Sequence, residues 1–426
     1  MIRYFIYLFT LFFFVACTPA EPKPSIETPK ANQKAFKKED LYILFALRAE
    51  QIHDGESASQ LFNTLYEKSN KKEYLYRSLQ NDLVMKKNER VVQRVDALED
   101  KEDTYLVRLK IVALMGLRKF NEAETLAVNL VKRTQSINDY LLVSDVYVQL
   151  GQFSVAVKYL ESAYVKDYNE LILDKMSIIL YVNLQRKKDA IAQLETHSRV
   201  HGCSKIICHR LIGFYSNENN IDGLLSAYLR LYTLNKDAEV AKKIVQVYAY
   251  KKEYVKMMDF LENSSSDDRT LLQLYSNTKN YTKAYPLATS LYEETGDSSF
   301  LGQSAIYEYE SATNKDEKML TSVVGKLRSV VSVNSDPLYL NYLGYILIDH
   351  EIAIIEGMKY IDKAMEIEPN SAYYLDSQAW GYYKLGKCKK AKEVMDRVLE
   401  LEGSDNEEVI LHKKEIDKCL KKQRKK

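Results

Sequence analysis

Apolar and polar positions follow a helical period through residues 337–401, and they do so twice. The first stretch reads PLYLNYLGYILIDHEIAIIEGMKYIDKAMEIEPN and the second SAYYLDSQAWGYYKLGKCKKAKEVMDRVLEL. Each predicts an apolar helix, a short turn and a second helix. The two stretches align residue by residue. In the first, Leu343-Gly344 is followed by Leu347, Gly357, Ala364 and Pro369; in the second, Ala379 replaces the glycine and Tyr382, Gly386, Ala391 and Val398 follow. Small side chains at Gly344/Ala379 and Gly357/Ala391 let paired helices approach closely, and the intervening Leu, Ile and Tyr fill the gaps. Asp336 before Pro337 is a helix start, because Asp caps free N–H groups and Pro has none to lose. Pro369 stands where the second helix must stop.

This pattern resembles the tetratricopeptide repeat (TPR): an early large residue, Leu-Gly, an aromatic, a glycine before the second helix, then alanines and a closing proline. Two departures are an extra residue between Gly344 and Gly357, assigned to the turn, and Gly357 itself, where alanine is usual. Weaker copies precede the pair. The small-residue position recurs at Ala58, Val91, Ala123, Ala156, Ala190, Gly223, Met257, Ala284, Val323, Gly357 and Ala391, a mean spacing of about 33 residues against about 34 for this family. Residues 137–170 form a good copy, with Tyr140, Tyr147, Gly151, Phe153, Ala156, Leu160 and Ala163 in place. Residues 301–336 contain a longer connection, SATNKDEK. The resemblance implies an all-α, right-handed α-solenoid of about eleven repeats, divergent over 39–336 and well formed over 337–405. Residues 406–426 follow as a capping helix and basic tail, with Val409, Ile410, Ile416 and Leu420 facing inward. Such a chain needs no single large core, since each repeat buries its apolar faces against its neighbours.

The N-terminus reads differently. Arg3 is the only charge before an apolar run from Tyr4 to Ala16, too short to span a membrane comfortably and suited to a signal peptide over residues 1–16. Phe14-Val15-Ala16-Cys17 resembles a bacterial lipobox, with Phe14 where leucine is usual. That resemblance implies acylation of Cys17, and Thr18 after it implies export to the outer membrane. An ordinary cleaved signal with an incidental cysteine is the other reading. Residues 17–38 then hold four of the seven prolines (Pro19, Pro22, Pro24, Pro29) and almost nothing to bury. They predict an extended tether reaching at most about 70 Å. Together these features place the folded body at a lipid-anchored site facing the periplasm of a Gram-negative envelope.

In TPR proteins the concave groove is lined by first-helix positions. The resemblance carries these over to Leu338, Asn341, Tyr345, Ile348 and Asp349 in one repeat, and to Tyr373, Asp376, Trp380, Tyr383 and Lys384 in the next. Tyrosine is abundant, 33 against 13 Phe and a single Trp, and the repeat's demand for amphipathic rings accounts for most of it. Trp and Tyr are favoured at binding hot spots, which makes Trp380 the foremost contact candidate. The competing account packs Trp380 beneath the capping helix. The subfamily that grips C-terminal carboxylates uses Lys, Asn and Arg at fixed groove positions. Here Asn341, Tyr345, Asp376 and Trp380 stand instead, which disfavours a ligand with a free acidic C-terminus.

Five cysteines remain to be placed: Cys17, Cys203, Cys208, Cys388 and Cys419. Lipidation of Cys17 leaves an even number in an exported chain, where disulfides persist. Cys388 opens the last repeat's second helix and Cys419 closes the returning capping helix, so an antiparallel hairpin puts them level and predicts a disulfide. Cys203 and Cys208 pair only if Cys203 folds back before a helix starting near Ser204. The alternative is a metal site of His201, Cys203, Cys208 and His209, whose spacing matches no zinc motif.

No catalytic constellation emerges. There is no Gly-rich phosphate loop, nucleophile elbow or H-E-x-x-H, and His53, His197, His350 and His412 stand apart from one another on helices or turns. These features predict a non-enzyme that uses no cofactor, metal or small-molecule substrate. The net charge of +2 gives no footprint for nucleic acid, and the basic end Lys421–Lys426 suits a solvated helix C-terminus. Two functions follow: a scaffold binding another envelope protein through its groove, or a structural subunit of an envelope machine, in assembly, peptidoglycan synthesis or motility, held through its outer face or cap.

Overall fold

The computed structural model describes residues 34–100, 102–402 and 407–423. The range 1–16 expected as a signal peptide, Cys17, most of the tether and the last three residues of the basic end lie outside them. The described residues form twenty-three α-helices and no strand. They fall into eleven consecutive pairs, from Glu39–Gln51 with Gly55–Ser69 to Ala372–Lys384 with Cys388–Glu402, followed by a single helix, Glu407–Gln423. This is an α-solenoid of helical repeats.

Two local devices recur with the repeat. Each first helix from Thr104–Gly116 to Pro337–Asp349 starts behind a residue whose side chain accepts a backbone N–H of the first turn: Asp103, Ser136, Asn169, Ser204, Asp237, Asp267, Asp297 and Asp336. These caps satisfy donors that the helix leaves open. Within most pairs, a residue in the left-handed conformation reverses the chain: His53, Lys86, Arg118, Gly151, Gln185, Asn219, Lys252, Lys279, Glu351 and Gly386. Glycine takes this conformation without penalty, yet only Gly151 and Gly386 are glycines.

Five residues beyond that turn sits a small or apolar side chain. Ala58, Val91, Ala123, Ala156, Ala190, Met257, Ala284 and Ala391 are all buried there. In one repeat the register differs from the sequence reading: Leu224 holds the position after Asn219. Gly223 still makes a close approach, because a Cβ on it would meet the Tyr215 ring at 2.5 Å. Near the C-terminus, the turn at residues 350–353 has four residues where the next, at 385–387, has three. The extra residue of the first C-terminal copy therefore lies in that turn.

The chain divides into two compact units, residues up to Thr196 and from His197 onward. In the first unit, apolar clusters form between successive helices, such as Leu79, Val91, Leu106 and Ala113, then Leu114, Ala127, Val143 and Ala156. Buried carboxylates bridge the same seams. Asp139, fully buried, takes a two-pronged ion pair from Arg108 at 2.6 and 2.8 Å. Asp82, also fully buried, is held by Arg94 at 2.7 Å and by Ser59 at 2.7 Å.

In the second unit a continuous core runs from Leu225 to Leu347. It continues through Ile348, Met358, Ile361 and Trp380 to Leu375, Ala391, Met395, Val409 and Ile416. Helices Pro337–Asp349 and Ile354–Ile367 touch backbone to backbone. A Cβ on Gly344 would lie 2.8 Å from the Gly357 carbonyl oxygen, and one on Gly357 would lie 2.7 Å from that of Gly344. The second unit also holds both described cysteine pairs. Cys388 bonds Cys419 with Cα atoms 5.8 Å apart, and Cys203 bonds Cys208 with Cα atoms 5.5 Å apart.

Candidate functional site

First-helix side chains converge with the capping helix at the C-terminal end of the second unit. Helices Ser298–Ser311, Pro337–Asp349 and Ala372–Lys384 line a cavity of about 540 Å³, and Glu408 from the capping helix closes one side. Its walls include Tyr309, Tyr342, Tyr345, Tyr373 and Tyr374, with Glu310, Glu368, Asp376 and Glu408 as carboxylates and Lys315 as the cation. That size, with aromatic rings set among converging charged and polar groups, suits a ligand pocket.

The pocket brings together four of the groove positions expected from sequence, Asn341, Tyr345, Tyr373 and Asp376, along with Leu338. Tyr373 is 63% exposed and Leu338 44%, so both are open to a partner. Asn341 presents a buried side-chain oxygen with no hydrogen-bond donor. An orphaned buried acceptor carries a desolvation cost, which an incoming N–H would remove.

The other groove positions have partners within the fold, and Trp380 takes the place beneath the capping helix that the competing account gave it. It is only 8% exposed. Its ring stacks on His412 of the capping helix with centroids 4.0 Å apart, and on Tyr383 at 4.6 Å. Its indole N–H donates to Asp349 at 2.8 Å. Lys384 donates to the Asp349 carbonyl and to Glu351, both at 2.9 Å, and so caps the end of the Pro337–Asp349 helix. Ile348 is fully buried. Trp380 thus packs beneath the capping helix, with Tyr383 stacked on it and Asp349 and Lys384 bonded beside it.

Asp376 has both roles. It borders the pocket and is 7% exposed, with its two oxygens 3.1 and 2.9 Å from His412 Nδ1. The inward face of the capping helix is Val409, His412 and Ile416, whereas Ile410 is 47% exposed. The sequence reading set Ile410 inward and left His412 without a role. The i, i+3, i+7 spacing of Val409, His412 and Ile416 is the signal that would have found it. His350 likewise has a partner, the Tyr309 hydroxyl at 3.0 Å from Nε2.

Tyr309, Glu310, Lys315 and Glu408 are not marked by the repeat pattern because they come from a neighbouring repeat, from an inserted connection or from the cap, and Tyr342 falls between two groove positions of Pro337–Asp349. Lys315 lies in the SATNKDEK insertion, with its ammonium 4.1 Å from the Tyr309 ring centroid and bonded to the carbonyls of Tyr309 and Ala312. The Tyr342 hydroxyl donates to Glu310 at 3.2 Å and the Tyr345 hydroxyl donates to Glu408. Burial, followed by the charge of Glu310, pushes the Tyr342 phenol well above its ordinary value; burial and then the bond to Glu408 do the same for Tyr345. Burial pushes the Lys315 ammonium down, with Glu310 partly offsetting it. Nothing in this arrangement pairs a nucleophile with a base. Among the described residues, no three His, Cys, Asp or Glu are grouped to hold a metal, and no helix is long and apolar enough to cross a membrane.

No family model matches the chain. A TPR repeat-containing protein of Methanocaldococcus jannaschii, MJ1428, is 23% identical over 333 residues, which are 68% of this chain and 58% of that protein. What the chain shares with that protein is the helical-repeat architecture, an α-solenoid of paired helices. The chain spans less than two thirds of that relative's length. Among solved structures, the APC/C hetero-tetramer Cut9-Hcn1 is similar at 10% identity and a TM-score of 0.39, over 90% of this chain and 97% of that one. MamA 41-end from Desulfovibrio magneticus RS-1 is similar at 16% identity and a TM-score of 0.33, over 40% and 97%. Those two likenesses are too loose to carry an argument.

Proposed function

We propose that this chain is a TPR-like, non-enzymatic scaffold that binds another protein of the cell envelope through the C-terminal groove. The observation that carries this is the cavity of about 540 Å³ built from first-helix side chains of successive repeats, with exposed Tyr373 and Leu338 on its walls and the donor-less oxygen of Asn341. Aromatic and aliphatic anchors beside an open acceptor match what an extended partner segment needs: area to bury, and a group to bond its backbone. The lipobox-like FVAC ending at Cys17 supports anchorage to the outer membrane by lipid, with the body facing the periplasm.

The experiment is photo-crosslinking in intact cells, with a photoreactive residue at position 373 or 338. Under this reading a discrete envelope protein is captured, and Tyr373→Ala with Asn341→Ala abolishes the capture. Trp380→Ala is unsuitable, because it removes the floor beneath the cap. Capture from the exposed cap residues Ile410 and Leu411 instead, indifferent to the groove substitutions, would favour a subunit held through its outer face. Cys17→Ser tests the anchor separately: the protein must lose its acyl chains and leave the membrane fraction.

A further inference from the structure

The charge of the pocket selects its guest. Four carboxylates, Glu310, Glu368, Asp376 and Glu408, border it against one lysine. Lys315 has its ammonium bonded to two backbone carbonyls, and among the described residues Glu310 pairs with no cation. Glu310 and Glu408 each anchor a tyrosine hydroxyl, those of Tyr342 and Tyr345, so the rings stand beside the carboxylates as a cage. Faces of aromatic rings attract cations, and more so when water is excluded. Lys315 over Tyr309 shows that one wall of the cage already accepts an ammonium.

Resting on the scaffold reading, we propose that this cavity receives the lysine or arginine side chain of an extended partner segment, held beside Tyr342 and Tyr345 by Glu310 and Glu408, with the Tyr309 ring kept by Lys315. Asn341 beside it accepts a backbone N–H of the same segment. The occupant is thus a basic stretch of a partner protein.

The test selects a phage-displayed library of random dodecapeptides on the full chain, then measures the chosen peptides by fluorescence anisotropy. The expected result is a basic residue fixed at one peptide position. Its replacement by Gln, or Glu310→Gln with Glu408→Gln in the protein, should weaken binding roughly tenfold or more. Glu310 and Glu408 are exposed, so these substitutions leave the fold intact, which a thermal melt checks. Selection of acidic or charge-indifferent peptides overturns the proposal while leaving the scaffold reading standing. So does a failure to select any peptide when photo-crosslinking still captures a partner. Spermidine competing as tightly as the best peptide would make a free polyamine the guest, and also overturns it. Failure of both selection and photo-crosslinking removes the scaffold reading itself.

Discussion

Two glycines in helices of the second unit should respond to alanine with opposite signs. Gly325 lies exposed within the Glu317–Val333 helix, and a Cβ there meets nothing within 4 Å. Gly325→Ala therefore gains only helix propensity and unfolded-state restriction, about 0.5–1 kcal/mol. Gly357→Ala gains the same amount, but its Cβ would lie 2.7 Å from the Gly344 carbonyl oxygen and 2.7 Å from Ile348 Cγ1. The oxygen is helix backbone and cannot swing aside, so the two helices must separate. Overpacking of this kind costs about 1–3 kcal/mol, with a backbone obstacle at the upper end, leaving a net loss of about 1–2 kcal/mol. The pair of variants should thus differ by about 2–3 kcal/mol. Urea unfolding followed by far-UV circular dichroism measures the difference, and hydrogen exchange in the Pro337–Asp349 helix localises it. A Gly357→Ala protein as stable as Gly325→Ala would refute the claim that backbone contact sets the spacing of these helices.

Other perturbations probe the remaining devices. Arg118 is exposed and held at φ 59° in the turn before Phe120–Thr134, so Arg118→Gly should stabilise the first unit by about 0.5–1 kcal/mol in the same unfolding assay. Arg108→Met strips the buried Asp139 of its ion pair and should cost about 3–5 kcal/mol near neutral pH. Asp139 is pushed up by burial but held below its ordinary value by Arg108, Thr134 and Ser136. Its contribution is complete above the unfolded carboxylate value of about 4 and lost as pH falls through the lowered one. The gap between wild type and Arg108→Met should therefore shrink in acid; a gap independent of pH would deny the ion pair its role. Cys388→Ser with Cys419→Ser opens a link between residues 31 apart. It should cost about 3 kcal/mol and speed hydrogen exchange through Glu407–Gln423; free thiols in non-reduced wild-type protein would contradict the bond.

The repeat architecture was legible in the sequence because it is a one-dimensional property. Period, small-residue positions and helix starts such as Asp336-Pro337 all act within one helix pair, and a solenoid repeats that local solution. Even so, the left-handed turns were only partly legible. Lys, Arg, Gln and His hold most of them, and the cost of that conformation is small enough for tertiary packing to override. The pocket was legible only where its residues sat on predicted first-helix positions. Its remaining walls come from Tyr309 and Glu310 of Ser298–Ser311, from the inserted connection at Lys315 and from the cap at Glu408, and no local pattern records that these meet. Trp380 marks the limit. A groove position that looks open in one repeat is closed once the next element folds over it, and whether the cap lands on Trp380 depends on His412, Asp376 and the Cys388–Cys419 link acting together across 37 residues of chain from Asp376 to His412. Sequence spacing determined the helical repeat, and side chains converging from elements far apart in the chain decided what its C-terminal end exposes.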